Sequence, residues 1–390
     1  MAQTNQPWPG REYRIDVAQD VLDDLRERLT RTRFPPGQSG PDWGTGTPLD
    51  YARRLHDHWL NRFDWRAYEA RLNRFEQRMI DVDGHPIHVI VERGSGSDPT
   101  PLLLANGWPS SFVEMVGLVE RLAHPERFGG DPESGVTVII PSMPGYGFSP
   151  PPPEAISPGE VARLWSKMMT KIFCFGRYIV FGCDWGSAVG GILASQYSEG
   201  LAGLVMTTTG GVLDVGPNDP PLTAEEMAWL GRMQRQMGPE SAYQMVQGTK
   251  PQSLAYSHAD SPMGLACWIV EKFHGWTING QQADPPFAMD DLLANVMVYW
   301  VNGSLAPMWL YMYLGAFKAS NERSRVPAGF IFPPADMVPP APRSYVERMY
   351  EDVRHYRVLD AGGHFPALEI PDVMIEELQS FLRACEQDRS

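Results

Sequence analysis

Gly182-Cys183-Asp184-Trp185-Gly186 follows the apolar run YIVFG (178–182) and precedes a helical stretch that begins near Ser187. Small residues two positions either side of a central side chain, between a strand and a helix, make the tight turn called a nucleophile elbow. It lifts the central side chain to the edge of a sheet in strained backbone geometry. Here that residue is aspartate, and this changes the chemistry. A serine alkoxide attacks acyl carbon. A carboxylate is a poor nucleophile toward amides but displaces at saturated carbon carrying a strained or good leaving group, and leaves an alkyl ester on the protein. Water must then attack that ester's carbonyl, which calls for a general base and an oxyanion hole.

His364, in Ala361-Gly362-Gly363-His364-Phe365, follows the strand-like YRVLD (356–360) and precedes the last helix, so it can reach the elbow. His56, His58, His124 and His355 lie among charged residues and read as surface-loop histidines. Chain order in such folds places an acid between nucleophile and histidine. Asp336, in PPAD after AGFIF (328–332), is the candidate, with an ordinary loop aspartate as its alternative. An oxyanion hole would combine the amide of Trp108, in the Asn106-Gly107-Trp108-Pro109 string that closes PLLLA, with the amide of Trp185. The departing oxygen needs an acid. A phenol stays protonated at neutral pH and can donate, and Tyr243, Tyr256, Tyr299, Tyr311 and Tyr313 all fall in one helical region, where packing is the alternative role of each.

These residues need a scaffold. IHVIVE (87–92), PLLLAN (101–106), VTVIIP (136–141), YIVFG and LVMTTT (204–209) are short, β-rich and mostly bounded by Gly or Pro, with helical stretches between several of them. Such alternation indicates an α/β architecture around a largely parallel sheet. Upstream, Tyr13, Ile15 and Val17 alternate like a short strand. Leu22, Leu25 and Leu29 then place one apolar stripe on a helix that can start at Asp20 and is closed by Pro35 and Pro36. A loop over 37–49 leads to a second helical segment over 50–76, and Asp83-Gly84 is a turn dipeptide. A mainly helical insertion before the last two strands is expected to cover the sheet's C-terminal edge, where open α/β sheets bind ligands. The organisation read from this is an N-terminal meander (1–85), a first part of the core (86–215), a helical lid (216–320) and a second part of the core (321–390).

Composition narrows the function classes. The chain has 390 residues, is 43% hydrophobic and contains 12 Trp, which excludes a disordered or collagenous polymer. A net charge of −14 without a basic run gives no electrostatic footprint for nucleic acid. Cys174, Cys183, Cys267 and Cys385 are far apart with no CxxC pair, against a disulfide framework or zinc site and in keeping with a reducing cytoplasm. The N-terminus shows no secretory h-region. The uncharged stretch from Leu293 to Phe317 is interrupted by Asn302, Gly303, Ser304 and Pro307, and so reads as two buried helices rather than a membrane span.

Taken together, the motifs resemble the epoxide hydrolases of the α/β-hydrolase superfamily, of the microsomal and juvenile-hormone type. Nearly the whole chain carries the resemblance: LTRTRFP (29–35) and FDWR (63–66) in the meander, PSMPGYGFS (141–149), GCDWGS (182–187) and AGGHF (361–365) in the core, SAYQMVQGTKPQSLAY (241–256) and NVMVYWVNGS (295–304) in the lid. It implies an α/β-hydrolase fold with a mostly parallel sheet, a helical lid and an N-terminal meander. It also implies that an epoxide is hydrolysed with water to a vicinal diol through a hydroxyalkyl ester, with no cofactor and no metal. The aromatic, Met-rich lid (Met227, Met233, Met237, Met245, Met308, Met312) suggests a bulky apolar or aromatic substrate, with plain helical packing as its alternative. The family's nucleophile falls on Asp184, its base on His364, its orienting acid on Asp336 and its first lid tyrosine on Tyr243. The second tyrosine falls on Tyr311 or, with a different gap, on Tyr313. The motif usually read as His-Gly-Trp-Pro has Asn106 here, and the membrane anchor of eukaryotic microsomal members is not expected. A soluble enzyme, compatible with a homodimer, follows from the resemblance. Two other functions fit the elbow: haloalkane dehalogenation, with Trp185 and Trp300 as candidate halide donors, and a binding protein that has lost the chemistry.

Overall fold

The computed structural model describes residues 7–36, 42–216, 219–277, 284–316 and 322–386. Among these residues nine strands form one sheet: β1 (Arg11–Glu12), β2 (Glu76–Val82), β3 (His85–Glu92), β4 (Pro101–Ala105), β5 (Thr137–Pro141), β6 (Tyr178–Gly182), β7 (Leu201–Met206), β8 (Ala328–Phe332) and β9 (Val353–Val358). Their spatial order is 1-2-3-5-4-6-7-8-9. The first pairs, through β3 with β5, are antiparallel, and all later pairs are parallel. β4, β5, β6 and β8 are buried at every position, as strands covered on both faces must be.

The order reverses at β4, which lies between β5 and β6. Right-handed crossovers on either side of that point send their helices to opposite faces. Helix Val116–Ala123 accordingly packs with Pro371–Glu386, and helix Pro158–Lys167 with Trp185–Gln196. A crevice therefore opens beyond the C-terminal ends of β4 and β6, the two strands that run into Asn106-Gly107-Trp108 and the elbow.

The N-terminal region departs from expectation in two places. Only Arg11–Glu12 pairs as a strand: the Tyr13 N–H still reaches the Gln77 carbonyl (3.0 Å), but beyond it side chains capture backbone donors, the Ile15 N–H going to Asn73 Oδ1 (2.9 Å) and the Val17 N–H to Glu69 Oε1 (2.8 Å). Ile15 and Val17 are buried all the same. The second helical segment divides into Leu49–Asn61 and Trp65–Leu72, the latter capped by Asp64 accepting from the Ala67 N–H. Glu76–Val82 is a strand, joined to β3 by Asp83-Gly84, both at positive φ as a two-residue hairpin turn requires. Helix Gln19–Thr30 stands within one residue of its expected start but stops before the prolines. His56 and His58 lie on helix Leu49–Asn61 and His355 on β9, where it bonds to Glu377, so these are not loop residues.

Between β7 and β8 the described chain is mainly helical: Ala224–Glu240, Ala242–Thr249, Pro251–Asp260, Pro262–Gly275, Met289–Asn302, Leu305–Trp309 and a 3₁₀ stretch Leu310–Ala316. Gly303, at φ 89°, breaks the apolar run where the sequence placed a break, and no described helix is long and apolar enough to cross a membrane. These helices are tied down from two sides. Asn302 Nδ2 donates to the carbonyls of Gly145 (3.1 Å) and Ser149 (2.9 Å) in the loop after β5. From the N-terminal region, Tyr68 Oη donates to Asp291 Oδ1 (2.8 Å), and Thr47 Oγ1 to the Cys267 carbonyl (2.9 Å).

Candidate active site

Asp184 occupies φ 50°, ψ −122°, between β6 and helix Trp185–Gln196. A non-glycine residue held there costs about 1–3 kcal/mol, which the surrounding structure must supply. Gly186 is needed because a Cβ would overlap the Ala105 backbone of β4. Across the crevice, a Cβ on Gly107 would overlap Asp184 Oδ1 and Cβ. Hence the two loops can approach only with glycine at 107, and the Trp108 N–H then reaches Asp184 Oδ1 at 2.9 Å. Gly107→Ala is expected to slow the first chemical step by about 10²-fold, since displacement of a reacting group by about 1 Å has that consequence. Circular dichroism should show a retained fold, and wild-type burst kinetics in this variant would refute the close-approach argument.

His364 lies in the loop Gly362–Phe365. Its N–H donates to the Trp276 carbonyl (2.8 Å), while Glu369 Oε1 accepts from the Gly363 (3.0 Å) and Phe365 (3.1 Å) amides. The Trp276 ring stands edge-on to the imidazole, centroids 4.9 Å apart. His364 Nδ1 donates to Asp336 Oδ1 at 3.0 Å, and that oxygen also accepts from the Val338 N–H at 3.0 Å. This fixes the imidazole so that Nε2 faces Asp184 Oδ2, 3.5 Å away. Burial disfavours the imidazolium, but the carboxylates of Asp336 and Asp184 outweigh it and raise the histidine's pKa well above its ordinary value. Cys183, next to the elbow residue, is buried; burial pushes its thiol pKa well up, so it is no competing nucleophile.

Of the five lid tyrosines, two face the crevice. The Tyr243 ring stacks on Trp108 (4.8 Å, 12°), and the Tyr311 ring meets Trp185 edge-on at 5.1 Å. The two phenol rings are 5.4 Å apart. Tyr243 Oη accepts from Gln244 Nε2 (3.1 Å), which leaves its O–H to donate, and the buried Tyr311 hydroxyl lies beside the Tyr243 hydroxyl and interacts with it. Burial first, then the Asp184 charge, raises the Tyr243 phenol; burial, Tyr243 and Asp184 raise Tyr311. Both therefore remain proton donors. Tyr313 instead donates to the Ala155 carbonyl (3.0 Å), Tyr299 to the Ser110 carbonyl (2.7 Å), and Tyr256 is exposed. Residues 311 and 313 sit on a 3₁₀ turn, where positions two apart point about 240° apart, so the packing that turns Tyr311 inward turns Tyr313 away. The Trp300 ring packs against the Arg28 guanidinium of the N-terminal region (5.9 Å).

Three further residues escaped the sequence reading. Trp276 supports the histidine. Gln247, one helical turn from Tyr243, is fully buried with neither amide atom bonded. Glu114, eight positions beyond Asn106, is buried behind the oxyanion loop. The cue for Gln247 was its i, i+4 spacing from Tyr243; nothing local marks Glu114. Among the described residues no group of three or more His, Cys, Asp or Glu is placed to hold a metal ion.

A parallel sheet reversing at β4, an aspartate at positive φ on the elbow after β6, and a histidine–aspartate pair on the loops after β9 and β8 define an α/β-hydrolase. The comparisons with known proteins agree. Residues 10–115 match the family model for the epoxide hydrolase N terminus, and residues 100–251 that for the alpha/beta hydrolase fold. A Stigmatella aurantiaca (strain DW4/3-1) protein assigned to the epoxide hydrolases is 34% identical over 376 residues, 95% of this chain and 84% of its own length. Epoxide hydrolase 1 of Oryctolagus cuniculus is 28% identical over 413 residues, covering 97% of this chain and 89% of its own. The solved structure of Aspergillus niger epoxide hydrolase superposes with a TM-score of 0.85 at 27% identity, over 98% of both chains. The chain belongs to the epoxide hydrolase family.

Proposed function

We propose that this chain hydrolyses an epoxide to a vicinal diol with Asp184 as nucleophile, Tyr243 and Tyr311 as acids toward the ring oxygen, and His364, oriented by Asp336, as base. The observation that carries this reading is the asymmetric setting of the Asp184 carboxylate. Oδ1 is held by the Trp108 amide at 2.9 Å and Oδ2 is left facing His364 Nε2 at 3.5 Å. Oδ2 attacks an epoxide carbon from the face opposite the C–O bond, that bond breaks, and a tyrosine proton passes to the departing oxygen. Oδ1 becomes the carbonyl oxygen of the resulting ester, already seated on an oxyanion donor. His364 Nε2 then takes a proton from water as the water oxygen adds to the ester carbon. The amides of Trp108 and Trp185 receive the oxyanion; collapse expels the diol's alkoxide, which takes the proton held by His364, and the carboxyl proton returns to the tyrosinate, restoring the carboxylate.

Order of ionisation supports this sequence. Before reaction the Asp184 charge helps keep His364 protonated. Esterification removes that charge, so the imidazole's pKa falls and it becomes a base at the stage where one is needed. The aromatic walls from Trp108, Trp185, Tyr243, Trp276 and Tyr311 suit an apolar or aromatic epoxide. Four cysteines far apart in the sequence, with no CxxC pair, suit a reducing compartment, and we place the enzyme in the cytoplasm.

The test is a single turnover with excess enzyme and an aryl epoxide in ¹⁸O-water, followed by mass analysis of peptides. Label in the Asp184 peptide, with an unlabelled first diol, is expected. Label entering the diol directly would mean that water opens the ring and would remove Asp184 from the mechanism. Replacing Tyr243 or Tyr311 with Phe should each slow ester formation by on the order of 10²-fold, the usual effect of losing one donor to developing negative charge. Tyr313→Phe should leave ester formation unchanged. Rapid-quench kinetics measures all three, and a Tyr313→Phe defect equal to that of Tyr311→Phe would reverse the assignment.

A further inference from the structure

The Asn106-Gly107-Trp108-Pro109-Ser110 loop is held by its carbonyls. Lid helix Met289–Asn302 supplies two donors: Asn295 Nδ2 to the Pro109 carbonyl (2.8 Å) and Tyr299 Oη to the Ser110 carbonyl (2.7 Å). The Gly107 carbonyl is held from within the core, where Asn106 Nδ2 donates to it at 3.2 Å. Ser110 Oγ lies 3.2 Å from the same carbonyl and is also hydrogen-bonded to Glu114 Oε2.

A hydroxyl carries one proton and cannot donate to both the Gly107 carbonyl and a carboxylate. Both contacts are satisfied when the carboxyl carries the proton: Glu114 donates to Ser110 Oγ, and Ser110 donates to Gly107. Ser110 and Glu114 are each 2% exposed, and Glu114 Oε1 has no partner, a setting that disfavours a carboxylate. The Gly107 carbonyl and the Trp108 N–H are the two ends of one peptide unit. Donors on the carbonyl oxygen fix the plane of that unit and polarise its N–H, because hydrogen bonds in a chain strengthen one another.

We propose that Glu114, held as a neutral acid, is a positioning residue of ester hydrolysis: through Ser110, and together with Asn106, it anchors the Gly107 carbonyl and so aims and strengthens the Trp108 N–H that receives the oxyanion. This rests on the reading of Asp184 as nucleophile and Trp108 as oxyanion donor. It also gives Asn106 a part in the loop, as a second donor to the same carbonyl.

The device is pH-sensitive. Burial raises the Glu114 pKa to about 7, the Ser110 hydrogen bond and His364 act to lower it, and Asp184 and Glu369 act to raise it. Cys183 and Tyr299 also feel its charge, and burial keeps both protonated. When Glu114 ionises, the Ser110 hydroxyl turns to donate to the carboxylate, and the Gly107 carbonyl loses a donor. Ester hydrolysis should weaken as pH rises through that range.

The experiment is single-turnover kinetics from pH 6 to 9, with ester formation and ester hydrolysis on Asp184 followed separately in wild type and in the E114A, E114Q and S110A variants. E114A and S110A should hydrolyse the ester about 10-fold more slowly while forming it at rates within about two-fold of wild type. E114Q keeps a donor toward Ser110 and cannot ionise. It should recover most of the rate lost in E114A, and the ratio of its hydrolysis rate to that of wild type should rise with pH through about 7. Hydrolysis at wild-type rate in E114A and S110A would overturn the proposal, as would an E114Q variant no better than E114A, or one that retains the alkaline decline. Absence of any ester on Asp184 in wild type would instead overturn the underlying mechanism.

Discussion

In a His364→Gln variant, each active site is expected to consume one epoxide and then stop with the hydroxyalkyl ester intact on Asp184. In the proposed mechanism the imidazole takes no part in ring opening, where the carboxylate attacks and the tyrosines supply the proton, so the burst should survive. Hydrolysis lacks its base and should slow by about 10²–10⁴-fold. Glutamine retains a side-chain donor toward Asp336, whose Oδ1 is also held by the Val338 amide, so the supporting loop should persist. Intact-protein mass spectrometry reads the result directly, as a shift equal to the mass of the epoxide. In wild type the hydrolysis step should also show an acid limb, because only neutral imidazole accepts the water proton. That limb should lie below the pH at which His364 titrates in the resting enzyme, because the ester has removed the Asp184 charge that helps raise the histidine's pKa. Steady turnover without ester in the variant would remove His364 from the role of base.

Asp184→Asn should abolish both steps. The exchange alters one terminal group, and asparagine is among the few residues that tolerate the positive φ of the elbow. An amide oxygen can still accept from the Trp108 N–H, so the fold and the oxyanion loop should be retained. An amide does not displace at an epoxide carbon, and removing a covalent nucleophile lowers turnover by at least about 10⁴-fold. No adduct should appear in mass spectra, even with His364 also changed to Gln. The combination separates the roles: adduct in the histidine variant, none in the aspartate variant and none in the double variant. Adduct in either variant lacking Asp184 would place the nucleophile elsewhere.

Much of this site is legible in the sequence because its parts are local. The elbow is a five-residue string whose small residues answer a steric demand within the same turn and the neighbouring strand. His364 and Asp336 follow strands by a few positions, so their presence at the C-terminal edge follows from strand direction. Tyr243, on which the resemblance places the first lid tyrosine, stacks on Trp108. The reading faltered where local preference and tertiary demand diverge. FEQRMIDV contains good helix formers, yet Glu76–Val82 is a strand because β3 offers it a partner across a tight hairpin. Tyr13–Val17 alternates like a strand, but Ile15 and Val17 give their N–H donors to the side chains of Asn73 and Glu69.

By itself, the sequence determined an aspartate elbow followed in chain order by an acid and a histidine, on alternating strands and helices, and hence displacement at carbon with later ester hydrolysis. Hydrophobic periodicity, glycine placement and chain order carry that information over short distances. The tertiary structure alone decided which phenols meet the elbow, since Tyr311 and Tyr313 differ only in the direction a 3₁₀ turn gives them. It also decided that Glu114, of a type ordinarily solvated, is enclosed with Ser110 behind the Gly107 carbonyl. Those choices depend on burial and on hydrogen bonds between residues brought together by packing, and a residue's type does not encode which neighbours will enclose it.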